Sequence, residues 1–255
     1  MGIVGGQLGI RLLNVASHGG TVSAFPDVAT AYQAKSKLEV LFGPAIWDEI
    51  RDRVVLDFGC GPGIEAVEMA LRGARRVVGL ELRRKWISEA TVLAEARGVA
   101  DRCYFGTEWS EPVDVILSVD SFEHFADPAD ILRRMRGLLK PAGRVIASFG
   151  PTWYHPLGGH IFSVFPYAHL IFSEPALVGW RSLYKSDGAR SITQAGLNKM
   201  TIRRFEKLVA DSPFEFSHFE AVPIRRLRPM ANRLTREFTT AIVRCTLVPK
   251  DRAGS

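Results

Sequence analysis

The sequence predicts an α/β fold, a doubly wound and mostly parallel sheet with an insertion after its fifth strand. Three observations carry this. Short apolar runs alternate with stretches of helical period between residues 53 and 150. The runs are apolar at nearly every position, as in "VVLDF" (54–58) and "VDVILSV" (113–119), which marks strands covered on both faces. The 255 residues are 47% hydrophobic and 24% charged, which suits one large domain whose core needs neither disulfide nor metal.

The elements follow in order. Residues 27–50 read as a helix, with Ala31, Ala34, Leu38 and Leu41 at three- and four-residue steps and Gly43-Pro44 as punctuation. A strand over 53–58 opens into the loop "GCGPG". "IEAVEMALRGA" is a helix that ends at Gly73, and "RVVGLE" a second strand that ends on Glu81. A helix fits 84–97, closed by Gly98. Strands fit 102–106 and 113–119. In "DPADILRRMRGLLKPAG", Asp127 caps a helix, Pro128 sits in its first turn and "KPAG" stops it. The strand over 144–150 completes five strands, and such alternation yields a parallel sheet. Residues 151–200 are aromatic, rich in histidine and without period. A helix in "TIRRFEKLVADS" and two closing strands, "FEFSHFEAVPI" and "EFTTAIVRCTLVPK", end the chain. The expected organisation is a single domain over 1–255: an N-terminal arm and helix (1–50), a core (51–150), a cap insertion (151–200) and a closing part (201–255).

Composition excludes several classes. Cys60, Cys103 and Cys245 lie far apart with no CxxC or CxxH spacing, so neither a disulfide framework nor a zinc site is expected, and a reducing cytoplasm suits them. The formal charge of +6 comes from scattered pairs, the densest group being "RRLR" (225–228). Without interleaved aromatics these read as solvated faces rather than a nucleic-acid surface. The glycine-rich N-terminus lacks a signal-peptide pattern and reads as a loose arm or an early packing segment. "IFSVFPYAHLIF" is too short and too polar to span a bilayer.

The glycine loop has three candidate ligands. A P-loop would need GxxxxGK[ST], which is absent. A dinucleotide fingerprint would place its third glycine at position 64, which is Ile64, while the glycine here is Gly63. Asp57, two residues before Gly59, would repel a pyrophosphate but attract a cationic amino-acid end. S-adenosylmethionine has such an end, and Gly59, Gly61 and Gly63 let the backbone approach it closely. Glu81, at the end of the next strand, could accept hydrogen bonds from ribose hydroxyls.

"VLDFGCGPG", "VVGLE" and "DVILSVDSFEHFADPADILRRMRGLLKPAGRVIAS" together resemble the class I S-adenosylmethionine-dependent methyltransferases, in particular small-molecule and quinone-pathway enzymes. The resemblance is strong over roughly residues 50–150. It implies a Rossmann-like methyltransferase fold with seven strands, the final one antiparallel. It also implies that Asp57, Gly59, Gly61 and Gly63 lie near the methionine end and that Glu81 is the ribose acid. Thr107 stands where the family has an acid beside the adenine, and Glu108 is the substitute. Asp120 lies where methionine contacts occur, and Glu123-His124 matches the "EH" that follows, with His124 read as a loop histidine.

The implied reaction transfers a methyl group to a small organic acceptor through oxygen, nitrogen or carbon. It needs a nucleophile about 3–3.5 Å from the methyl carbon, with a base in reach where a proton must leave. "GPTWYHPLGGHIF", after the fifth strand, supplies the candidates Tyr154, His155 and His160 in an aromatic setting. A metal held by His155, His160 and His169 is not expected, because no carboxylate is interleaved. With Trp153, Tyr167, His169 and Trp180 the segment reads as a lid over the acceptor, with a structural flap as the alternative. Two further alternatives are a catalytically silent S-adenosylmethionine-binding regulator or subunit and a nucleic-acid methyltransferase. The sequence "SVDSFEH" at the fourth strand disfavours the latter. The oligomeric state is left open.

Overall fold

The computed structural model describes residues 2–18 and 35–250. Its centre is a seven-stranded sheet in the order β3-β2-β1-β4-β5-β7-β6. The strands are β1 (Val54–Phe58), β2 (Arg76–Leu80), β3 (Cys103–Gly106), β4 (Val113–Val119), β5 (Leu139–Phe149), β6 (Phe214–Pro223) and β7 (Thr240–Pro249). β1 to β5 are mutually parallel, and β7 runs antiparallel between β5 and β6. From β1 the chain winds outward to β2 and β3, then returns to the other side of β1 for β4 and β5. This reversal opens a crevice at the carboxyl ends of β1 and β4, where ligands bind in open α/β sheets.

The continuous apolar runs have the expected cause. Alternate residues of one strand enter opposite cores: Leu56, Val78, Ile116 and Val145 on one face, Val55, Val77, Val115 and Ile146 on the other. α6 (Pro128–Leu138) and α9 (Ile202–Ala210) cover the first face with Leu132, Met135, Phe205 and Val209. The second face is covered by α2 (Lys37–Phe42), α3 (Ile46–Ile50), α4 (Ile64–Leu71) and α5 (Arg84–Ala96).

The punctuation of these helices follows the sequence. Asp127 Oδ1 accepts from the amides of Ala129 and Asp130, both at 3.0 Å. Gly73 and Gly98 follow α4 and α5 with positive φ. Two expectations change. Within the predicted helix over 27–50, the described part is two short helices separated at Gly43, where φ is +79°, and residues 27–34 lie outside the described residues. "KPAG" does not form a loop after α6. It enters β5, whose register against β4 shifts between Val113 and Val115.

The N-terminus is a packing segment. α1 (Gly6–Ala16) lies against α8 (Glu174–Arg181) of the insertion, and Val4 exchanges backbone hydrogen bonds with Ile171 and Ser173 at 3.1 and 2.8 Å. A Cβ at Gly9 would stand 3.0 Å from that of Ala176, so the small residue permits the close crossing. Leu13 joins Phe162, Phe172, Leu177, Trp180 and Leu197 in a third apolar cluster that belongs to the insertion. Trp180 is fully buried there and its Nε1 donates to Ser17 Oγ at 3.2 Å. Residues 151–200 thus carry a core of their own, which includes α7 (Ala168–Ile171) and is completed by the N-terminal helix.

Candidate active site

The loop after β1 is tied to the neighbouring strand. The amides of Gly59 and Cys60 both donate to the Leu80 carbonyl, at 2.9 and 3.1 Å, which folds the loop over the end of β2. Gly59, Gly61 and Gly63 all have positive φ, a region that side chains disfavour. Their surroundings differ. A Cβ at Gly59 would meet Ser121 Oγ at 2.8 Å and one at Gly63 the Ala90 Cβ at 2.6 Å, whereas at Gly61 the nearest atom is 3.7 Å away on the Trp86 ring. Gly63 therefore permits the approach of α4 to α5, and Gly61 keeps the loop surface open.

A cavity of about 540 Å³ lies at the crevice, within the roughly 300–1,000 Å³ usual for small-molecule sites. Of the sequence-predicted residues, Gly59, Glu81, Thr107 and Asp120 line it. Glu81 is buried, and its Oε1 accepts from the amides of Leu82 and Arg83 at 2.8 and 2.9 Å. Among the described residues no group bonds Oε2. Arg83 lies over the Trp86 ring, 3.4 Å from its centroid, beside the carboxylate. Asp57, Gly61 and Gly63 do not line the cavity. Asp57 is 3% exposed and its Oδ2 has no partner. Burial, reinforced by the Glu65 carboxylate, pushes its pKa up to about 8. Glu108 is exposed and outside the cavity wall. Sequence reading missed Leu82, Arg83 and Trp86, which follow Glu81 directly, and Phe125, Ile131 and Arg134, from the loop after β4 and from α6.

The loop after β4 brings further chemistry together. Asp120 has φ +49°, which an aspartate tolerates, and forms an ion pair with Lys37 at 2.9 Å. Glu123 is 2% exposed. Its Oε1 accepts from the Gly150 amide at 3.2 Å, and its Oε2 has no partner. Burial, with the Asp120 charge next in importance, raises the Glu123 pKa to about 8. His160 of the insertion reaches this loop, its Nε2 4.0 Å from Glu123 Oε1 and its ring 5.4 Å from that of His124. One ligand-type atom from each of Glu123, His124 and His160 lies within 4.8 Å of the others, a set able to hold a cation or pass a proton. His155 and His169 are not part of this set.

The histidines differ in tautomer. Nδ1 of His160 lies 3.1 Å from the Gly158 carbonyl and Nδ1 of His124 2.7 Å from that of Gly196, so each must carry a proton, and in the neutral ring Nε2 is the acceptor. His155 is the reverse: its Nδ1 accepts from the Leu157 amide at 2.9 Å, which places the proton on Nε2. Burial lowers His155 and His160 to about 4, so both are neutral at pH 7. His169 is buried within the insertion, with Nε2 2.7 Å from the Trp153 carbonyl and Nδ1 3.2 Å from Ser163 Oγ. Tyr154 stacks on Phe238 of α10 (Arg236–Thr239), with ring centroids 5.2 Å apart.

The insertion is fastened to this loop by Asn198. Its Nδ2 donates to the carbonyls of Phe122 and Phe125 at 2.7 and 2.8 Å, and its amide to that of Glu123 at 2.9 Å. No sequence signal marks this contact, which spans more than seventy residues.

The chain is 36% identical over 107 residues to a ubiquinone biosynthesis O-methyltransferase of Neisseria meningitidis, covering 39% of this chain and 45% of that protein. It is 33% identical over 147 residues to the protein of the same name from Serratia proteamaculans, covering 51% and 61%. The chain thus spans about half the length of these relatives. The solved structure of the [4+2]-cyclase SpnF is similar at a TM-score of 0.56 and 16% identity, covering 98% of this chain and 99% of that one, a likeness of fold alone. The family described as Methyltransferase domain matches residues 29–215, and this chain, with its Rossmann-like seven-stranded sheet, belongs to that family.

Proposed function

We propose that this chain transfers the methyl group of S-adenosylmethionine to a small organic acceptor bound between the loop after β4 and the cap formed by residues 151–200. The observation that carries this reading is Glu81. One of its oxygens is consumed by two backbone amides, the other has no bond among the described residues, and the residue lines a cavity of suitable size, an arrangement that suits a ribose diol. The other residues present suit the same cofactor. Asp57 is a buried carboxylate with an orphaned oxygen, which a cationic amino-acid end would satisfy. Gly59 and Gly61 keep the loop free of side chains, Leu82 and Trp86 offer apolar walls for the adenosine, and Thr107 stands at the rim in place of an acid. Glu108 is assigned no contact through its side chain.

The bound cofactor supplies an electrophilic methyl group. The chain must then orient the acceptor and take its proton. His160 and His124 are the groups for this step, because each holds a proton on Nδ1 and offers Nε2 as the acceptor. His155 lacks that disposition, and Tyr154 belongs to the cap wall. The names of the relatives favour a hydroxyl acceptor, and a base of this kind suits one. Among the described residues no helix is long and apolar enough to cross a membrane, and the three cysteines are unpaired, as suits the cytoplasm.

Calorimetry tests the cofactor: S-adenosylhomocysteine binds well, NAD and ATP far more weakly, and Glu81→Ala loses on the order of 1.5–3 kcal/mol. Tighter binding of NAD would sink the reading. Turnover on a panel of phenolic and enolic acceptors separates an enzyme from a silent S-adenosylmethionine-binding subunit.

A further inference from the structure

The connection between β6 and β7 holds the densest basic group of the chain, and neither the cofactor site nor the cores use it. Arg225, Arg226, Arg228 and Arg233 are exposed, and none has a carboxylate partner among the described residues. The arginines that follow are different: Arg236 is held bidentately by Glu206 at 2.7 and 2.6 Å, and Arg244 donates to Glu220 at 2.5 Å. The same turn holds two apolar side chains in solvent, Met230 between Arg228 and Arg233 at 61% and Leu234 next to Arg233 at 91% exposed. The turn that presents them is fixed from within. Asn232 Oδ1 accepts from the amides of Leu234 and Thr235 at 2.8 and 3.2 Å, and Thr235 Oγ1 donates to the Met230 carbonyl at 2.6 Å.

The tip leaves the same edge of the sheet as the candidate site. Pro223 pairs with Thr240, and Val243 pairs with Phe149 at the carboxyl end of β5, so the connection emerges at the sheet edge that forms the cavity. Phe238, at its close, touches Tyr154 of the cap.

Guanidinium groups bind phosphate oxygens bidentately and lose their hydration readily. Aliphatic side chains held out in water gain most where they can leave it. A nucleic acid would use the arginines but would call for aromatic platforms rather than Met and Leu. An anionic bilayer surface uses both sets. We propose that residues 225–234 dock this chain on anionic phospholipid membranes, with the arginines on headgroup phosphates and Met230 and Leu234 in the acyl boundary. The carboxyl edge of the sheet, which holds the cavity, then turns towards the bilayer and an apolar acceptor can enter from it, a consequence that rests on the methyltransferase reading. The docking itself does not.

Flotation of the full chain with vesicles tests this without cofactor or turnover. The chain should float with vesicles of equal parts phosphatidylcholine and phosphatidylglycerol, and not with phosphatidylcholine alone. Replacing Arg225, Arg226 and Arg228 together by Gln should lower partitioning on the order of a hundredfold, from about 1 kcal/mol per charge. Leu234→Ser should lower it roughly tenfold. Because Leu234 is almost fully exposed, this second variant keeps the test open if the triple variant folds poorly. Absence of flotation, or unchanged flotation of both variants, overturns the proposal. So does tighter retention by single-stranded RNA at the same salt with Leu234→Ser without effect. Unchanged melting temperature and S-adenosylhomocysteine affinity in the variants assign the loss to the surface.

Discussion

Asn198, near the end of the cap, donates from Nδ2 to the main-chain carbonyl of Phe122, in the loop after β4, at 2.7 Å. The same nitrogen serves Phe125 and the same residue's amide serves Glu123, so one side chain and its backbone hold three main-chain carbonyls of the loop that carries Glu123 and His124. Cap and site loop are therefore tied together at this point. Asn198→Ala strips donors from buried carbonyls, at a cost of roughly 1–3 kcal/mol for each group left unpaired. We expect a lower melting temperature and a fall in turnover larger than any fall in S-adenosylhomocysteine affinity. An unchanged melting temperature would show that the clamp holds nothing.

The glycines of the loop after β1 separate binding from folding. At Gly63 a methyl group would meet Ala90 Cβ at 2.6 Å on a backbone with φ +80°. Overpacking costs about 1–3 kcal/mol and the left-handed backbone about 1–2 more, so Gly63→Ala should be a stability variant. At Gly61 the space is open as far as the Trp86 ring, so Gly61→Val should leave the domain folded, with strain confined to the loop, and abolish cofactor binding. Thermal melts and calorimetry on both proteins check the division. A Gly61→Val protein with normal affinity would place the cofactor elsewhere.

Where side chains repeat with the period of their own element, the sequence was legible. The five parallel strands followed from apolar runs that feed two cores at once, and α6 from Asp127, Pro128 and its stripe. Glu81 was legible because its place at a strand end fixes what it can face. Residues 151–200 were not, since their helices are short and their core includes Leu13 from the opposite end of the chain, so no local period exists. The antiparallel sense of the final strand came from family resemblance, while its placement between β5 and β6 depends on pairing across more than ninety residues and was not legible. The juxtaposition of His160 with Glu123 and His124 depends on the path of the whole cap, and the sequence offered the three residues without their meeting.

The buried ionisable groups predict an asymmetric pH dependence of stability. His155 and His160 fall from 6.5 to about 4, so the unfolded chain binds more protons between these values, and their contribution is lost as pH falls through that window. Asp57 and Glu123 rise from 3.8 and 4.5 to about 8, so the folded chain binds more protons there, and their contribution is lost as pH rises towards 8. Below 6.5 the two pairs oppose each other. Between 6.5 and 8 only the carboxyls act, and the melting temperature should decline. Asp57→Asn should flatten this decline, as should saturating S-adenosylhomocysteine if its ammonium satisfies Asp57. Denaturant midpoints measured between pH 5 and 9 check this, and a melting temperature that rises over 6.5–8 would contradict it.

The assignment of the base rests on which ring nitrogen is bare. In His160 the Gly158 carbonyl fixes the proton on Nδ1, so Nε2 faces Glu123 and His124 with a lone pair. In His155 the Leu157 amide occupies Nδ1, so that ring serves the loop. His160 has φ +50°, which asparagine tolerates, so His160→Asn is the substitution that removes the base with least strain. We expect turnover to fall by about 10²–10⁴ with S-adenosylhomocysteine affinity and melting temperature nearly unchanged. His155→Asn should do the opposite: it loosens the turn at Leu157, lowers stability and leaves turnover per folded molecule intact. Tyr154→Phe keeps the ring against Phe238 and should change neither strongly. The pH profile gives an independent readout. With His160 neutral down to about 4, the acid limb of kcat/KM should lie well below the 6.5 of an ordinary histidine and disappear in His160→Asn. If His155→Asn abolished turnover while His160→Asn retained it, proton removal would belong to the turn at residues 155–157, and the contact between His160 and Glu123 would serve only to seat the cap.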